Sequence, residues 1–263
     1  MQMITSKDGT TIAYDREGDG PAAILVAGAL CARLSWSGPA IAALLAPHFT
    51  VYNYDRRGRG DSGDTMPYAV AREIEDIEAL IDDAGGSAYL FGHSSGAALA
   101  LEAAAALGRK VARLAMYDAP YDDDREAPQR GREYTRRLSE LLAADRRGDA
   151  VVLFMALVGT PAEQIEGMRR APFWPALEAI APTLAYDNAV ISGEDGALPI
   201  ARAAQMTAPT LVMAGGASHP SMQDTARTLS AAMPHARLRT LAGQGHEVSP
   251  EALAPVLIEF FRA

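Results

Sequence analysis

Residues 88–101 read AYLFGHSSGAALAL, with Gly92, Ser94 and Gly96 at the centre. The aromatic and apolar half before Gly92 has the composition of a buried strand, the alanine-rich half after Gly96 that of a helix, and no linker separates them. Gly-x-Ser-x-Gly at such a junction demands a sharp turn. The central residue takes strained backbone geometry, and the two glycines remove Cβ atoms that would collide where strand and helix cross. Ser94 is thereby lifted to the end of a sheet, at the N-terminus of a helix whose exposed N–H groups favour developing negative charge. Outside this context the same five residues would be no more than a Gly/Ser helix cap.

Working outward, the chain alternates short β-rich apolar runs (22–27, 49–54, 88–91, 114–117, 210–214 and 237–241) with longer helix-period segments (41–46, 69–82, 97–107, 222–232 and 252–261). Alternation of this kind predicts an α/β fold, a mostly parallel sheet covered by helices on both faces. At the start, MQMITS and TTIAYDRE flank Asp8-Gly9 and read as a hairpin. Residues 122–203 break the rhythm: helical runs separated by Pro161, Pro172, Pro175 and Pro182, with no strand pattern. This stretch reads as a helical lid inserted in a core made of residues 1–121 and 204–263. Its Phe154, Met155, Leu157, Phe173, Trp174, Leu177 and Tyr186 each suit helix packing; as a set they suit the underside of a lid.

The 263 residues carry 24 Lys and Arg against 33 Asp and Glu, a net charge of −9. That balance argues against nucleic-acid and anionic-membrane partners, which need clustered cations, and leaves a small-molecule substrate. The basic stretch 130–147 is interleaved with Glu133, Glu140 and Asp145 and reads as a solvated helix face. Cys31 is the single cysteine, so an intramolecular disulfide and a cysteine-based zinc cluster are excluded. Lys7 and Asp8 stand where a signal peptide would be apolar, and no apolar run reaches the ~18 residues of a membrane span. The expected compartment is cytoplasmic. Neither Gly-x-Gly-x-x-Gly nor Gly-x-x-x-x-Gly-Lys-Ser/Thr occurs, and no metal or nucleotide cofactor is called for.

A serine hydroxyl becomes nucleophilic only when a base takes its proton. Of the five histidines, His93 is fixed beside Ser94 and should point away from it, while His48 and His235 sit in proline-flanked connections that suit solvent. His219 reads as a solvated loop residue. His246 lies in LAGQGHEVSP (241–250), a glycine-rich loop between the last strand and the last helix, where a parallel sheet presents catalytic groups.

These segments together resemble an α/β-hydrolase with a helical lid, over essentially the whole length. Leu25-Val26-Ala27-Gly28-Ala29-Leu30 resembles that family's His-Gly oxyanion loop, with Ala27 where histidine is common. Residues 54–62, YDRRGRGDS, resemble its Asp-x-Arg-Gly-x-Gly-x-Ser loop, and the elbow at Ser94 and Gly245-His246 follow in the family's order. The resemblance implies Ser94 as nucleophile, His246 as general base and acid, and the N–H groups of Ala29 and Ser95 as oxyanion hole. Asp55, Arg57 and Asp61 are expected to tie neighbouring loops together, and Cys31 to pack near the pocket mouth.

One departure concerns the triad acid. After the strand at 210–214 relatives carry an aspartate, but here the loop is GGASHP (215–220) with Ser218 in that place. Some members of the family take the acid from the end of the preceding strand, and LAMYDAP (114–120) offers Asp118 there. A carboxylate buried at a strand end is costly unless paired, and His246 Nδ1 would satisfy it. Asp122, Asp123, Asp124 and Asp224 are rivals for the role. The resulting expectation is a cofactor-independent serine hydrolase acting on an ester, lactone or similar acyl compound. A carbon–carbon bond hydrolase or lyase on the same scaffold, or a binding protein without turnover, are the alternatives; haloalkane dehalogenation is disfavoured because it would need a carboxylate at position 94.

Overall fold

The computed structural model describes residues 1–121, 127–192 and 198–263. Among these, eight strands form one sheet in the order β1-β2-β4-β3-β5-β6-β7-β8. They are β1 (Gln2–Thr5), β2 (Thr11–Glu17), β3 (Ala22–Val26), β4 (Thr50–Tyr54), β5 (Ala88–His93), β6 (Val111–Tyr117), β7 (Thr210–Gly215) and β8 (Ala236–Leu241). The expected hairpin is present as antiparallel β1 and β2 at one edge, with Gly9 at φ +88° in its turn. From β4 to β8 every neighbouring pair is parallel.

Parallel strands are buried on both faces, and β3 illustrates how the sequence meets that demand. Ile24 and Val26 enter the core beneath α2 (Val70–Asp83), α3 (Ser95–Leu107) and α10 (Pro220–Ala232). Ala23 and Leu25 enter the opposite core, against α1 (Gly38–Leu45) and α11 (Pro250–Arg262). The chain runs from β3 outward to β4, then returns to the other side of β3 with β5. At such a reversal, connections leave adjacent strand ends in opposite directions and open a crevice, the ordinary location of a ligand site in an open α/β sheet. Here the crevice lies between the loop after β3, which carries Gly28 and Ala29, and the elbow after β5, which carries Ser94.

Between β6 and β7 the described residues form α4 (Ala127–Ala143), α5 (Arg147–Leu157), α6 (Ala162–Arg169), α7 (Trp174–Ile180), α8 (Leu184–Ser192) and α9 (Ile200–Ala203), with no strand among them. Tyr134, Leu138, Val151, Met155, Trp174 and Leu184 make a separate apolar cluster that also takes in Leu30 and Ala29, so these helices sit on the loop after β3. Phe154 and Leu177 pack against it as well. Leu157 and Phe173 do not join the expected underside; both are about half exposed on the outer surface. Tyr186 is turned elsewhere, stacked on Tyr68 at 3.8 Å with its hydroxyl donating to Asp64. No helix among the described residues is long and apolar enough to cross a membrane.

Candidate active site

Ser94 sits between the last residue of β5 and the first of α3 with φ +56° and ψ −126°, the strained elbow geometry expected of it. A non-glycine residue holds such a conformation only when its surroundings over-determine it. Here the Ser94 N–H donates to Tyr117 O at 3.0 Å, and its carbonyl accepts from Ala97 N at 2.8 Å. A Cβ at Gly92 would collide with the carbonyl of Gly96, and one at Gly96 with that of Val26. Both glycines are therefore required by close approach of backbone to backbone. At Gly28, an added Cβ would come within 3.1 Å of Ser94 Cβ, so the loop after β3 runs directly beside the serine. The Ser95 N–H opens α3 and has no acceptor within the helix. Ser94 and Ala29 are half-buried, and Ser95 is buried.

His246 and Asp118 meet across 128 residues of sequence: His246 Nδ1 lies 3.2 Å from Asp118 Oδ2. Asp118 follows β6 at φ +47° with its N–H on Met213 O, and is sealed from solvent. Its Oδ1 accepts from Gly215 N at 3.0 Å and its Oδ2 accepts from Ser218 Oγ at 2.5 Å. The serine in the usual acid position thus faces the same carboxylate that faces His246. Two contacts fix the backbone of the histidine loop. Tyr117 Oη donates to Gly245 O at 2.6 Å, and His93 Nε2 donates to His246 O at 2.9 Å. His93 is buried among aromatic side chains. It lies between Trp36 and Tyr117 with its ring 4.8 Å from that of His246, and burial, then the neighbouring imidazole, hold its pKa below the ordinary value.

Among the rivals, Asp224 is on the surface, paired with Arg227. Asp122, Asp123 and Asp124 lie outside the described residues. His48, His219 and His235 are exposed; His219 caps α10 by accepting from Ser221 N. Burial, opposed by Arg59, pushes the Cys31 thiol up to about 11, which leaves it protonated near neutrality.

Asp55, Arg57 and Asp61 tie loops together. Asp55 accepts from Arg33 N and Nη1, Asp61 pairs with the same guanidinium, and Arg57 bridges Asp76 and Asp8. The two other arginines of that loop escaped the sequence reading. Arg56 is held by both oxygens of Glu73 and by Asp187 Oδ1 at 2.7 Å. Arg59 donates to Asp187 Oδ2 at 2.7 Å, to Thr183 Oγ1 at 3.1 Å and to Gly28 O at 2.6 Å. Asp187 belongs to α8 and also accepts from Ser95 Oγ at 2.7 Å. Burial opposes its ionisation, but Arg59 and Arg56 outweigh that and keep the carboxyl below its ordinary range. The repeated arginine in DRRGRGD was the available signal; its partner lies 128 residues away, in a helix that gives no sign of it.

Residues 23–256 match the model of the alpha/beta hydrolase family. The chain belongs to that family. It is similar to a solved alpha/beta hydrolase from Sphaerobacter thermophilus, with 52% identity over 99% of this chain and 100% of that one and a TM-score of 0.89. Among curated proteins it is similar to N-formylmaleamate deformylase of Pseudomonas putida, 37% identical over 106 residues, which span 39% of each chain. A hydrolase of 2-hydroxy-6-oxo-6-phenylhexa-2,4-dienoate from Rhodococcus sp. strain RHA1 shares the fold, with a TM-score of 0.71 over 100% of this chain and 99% of that one, at 22% identity. This α/β-hydrolase is accordingly a hydrolytic enzyme, with the parallel sheet and flanking helices of its relatives.

Proposed function

We propose that this hydrolase cleaves a carboxylic ester, lactone or related small acyl compound by Ser-His-Asp catalysis without a cofactor. The observation that carries the reading is the 3.2 Å contact between His246 Nδ1 and a solvent-sealed Asp118, beside an elbow that presents Ser94. His246 removes the Ser94 proton as Oγ attacks the carbonyl carbon. Asp118 accepts from Nδ1–H, which leaves Nε2 free to act as base and stabilises the imidazolium that forms. The tetrahedral oxyanion is held by the N–H groups of Ala29 and Ser95. His246 then protonates the leaving group, and water repeats the cycle on the acyl-enzyme to release the acid and regenerate Ser94.

Helices α4–α8 act in this reading as a lid, supported by the apolar cluster that they form with Ala29 and Leu30. The deformylase likeness adds N-formyl amides to the acyl compounds worth assaying. The test is fluorophosphonate labelling beside p-nitrophenyl ester turnover. Wild type is expected to label at Ser94 and turn over, and Ser94→Ala to do neither. A folded wild type that ignores the probe, or Ser94→Ala that hydrolyses the ester as well as wild type, overturns the proposal.

A further inference from the structure

Arg59 is fully buried beneath the loop after β3, and its contacts there are specific. Its Nη1 donates to Gly28 O at 2.6 Å and to Cys31 O at 3.3 Å, while Arg56 Nη1 reaches Ala27 O at 3.3 Å. The Gly28 carbonyl and the Ala29 N–H are two ends of one peptide group. A cation on the carbonyl end fixes the plane of that group, so the direction of the N–H is fixed with it. It also draws electron density away from the nitrogen, because hydrogen bonds at the two ends of an amide reinforce each other in a poorly screened interior. Within the same loop, Leu30 is held at φ +54°, a conformation that needs outside support.

We infer that Arg59 is a positioning residue for the oxyanion hole, holding and polarising the Gly28–Ala29 peptide, and that Asp187 makes this arrangement dependent on α8. The inference rests on the serine-hydrolase reading above. Asp187 supplies the countercharge that allows Arg59 to be buried, and through Ser95 Oγ it also touches the residue whose N–H forms the other half of the hole. Both oxyanion donors are therefore tied to one carboxylate that comes from the helices between β6 and β7. Arg57, one turn of the loop away, touches none of these groups; its partners are Asp76, Asp8 and Arg72 O.

The test compares wild type, Arg59→Lys and the double variant Arg59→Gln/Asp187→Asn, which removes one buried charge of each sign together. The readouts are kcat and KM on a p-nitrophenyl ester, the inhibition constant of an arylboronic acid that mimics the tetrahedral intermediate, and melting temperature. A misdirected oxyanion donor should lower kcat of the double variant roughly ten- to hundredfold, with the boronate weakened by a similar factor and KM unchanged. Arg59→Lys, which keeps a cation but one donor arm, should fall between the two on both scales. A double variant with wild-type kcat and boronate affinity overturns the inference, as does one whose KM rises while kcat holds. If the double variant does not fold, Arg59→Lys decides: parallel few-fold losses in kcat and boronate affinity support the role, and wild-type values overturn it. Failure of the underlying reading looks different, since wild type itself would then bind no boronate and label with no fluorophosphonate.

Discussion

Asp118 and Asp187 are both sealed from solvent, one at the end of β6 and the other in α8, and they are satisfied by donors of different kinds. Asp187 meets two guanidinium groups and a serine hydroxyl. Asp118 meets a backbone N–H, a serine hydroxyl and an imidazole. Permanent cations leave a carboxylate nothing to offer a charge that appears only during a reaction. A carboxylate held by neutral donors next to a titratable ring keeps its charge available for that ring when it takes a proton. Burial alone therefore does not separate the two carboxylates; the chemical nature of their partners does, and it is what supports the role proposed for Asp118.

That contrast can be broken most directly by neutralising each carboxylate in turn. Asp118→Asn should leave the fold intact and lower kcat by roughly 10²- to 10⁴-fold, because the amide favours the wrong tautomer of His246 and cannot support its protonated form. Asp187→Asn should do the reverse, costing roughly 3–5 kcal/mol of stability in a denaturant titration by stranding a buried guanidinium, with a far smaller loss of kcat. Equal loss of activity in the two variants would erase the distinction.

The role of Ser218 sharpens the same point. Its hydroxyl shares Asp118 Oδ2 with His246, so Ser218→Ala should loosen the carboxylate that orients the ring. Loss of that donor is expected to reduce kcat about tenfold at neutral pH, with Ser218→Thr behaving as wild type. Wild-type kcat in Ser218→Ala would show that the hydroxyl only fills space.

The smallest effect concerns His93. Burial, against the pull of the hydrogen bond to His246 O, holds its folded-state pKa below the ordinary 6.5, so the buried ring contributes most to stability above that value. As pH falls, the unfolded chain binds a proton that the buried ring resists, and the contribution is lost. The stability advantage of wild type over His93→Gln, measured by urea unfolding, should accordingly be larger at about pH 7.5 than at about pH 5.5. A constant difference would mean that the ring takes up its proton at the same pH in both states.

Much of the molecule was legible from local pattern. The elbow at 92–96, the alternation of apolar runs with helical segments, and the strand-free stretch before β7 each express rules that act over fewer than about a dozen residues. Asp118 was singled out as a candidate only because Ser218 left the commoner position without a carboxylate, and its contact with His246 is what the fold adds. The apolar set between β6 and β7 was less legible: Leu157 and Phe173 look apolar in sequence yet face outward, because helical period states which residues share a face and not what that face meets.

The sequence by itself determined where Ser94 would be presented and that a parallel sheet would present it, since steric crowding at a strand–helix turn and burial of both sheet faces depend on near neighbours. Only the tertiary structure decided which charges meet. Asp118 with His246 and Arg59 with Asp187 are each separated by 128 residues, and the energy of a buried charge depends on the atoms that surround it in space, which local pattern does not encode.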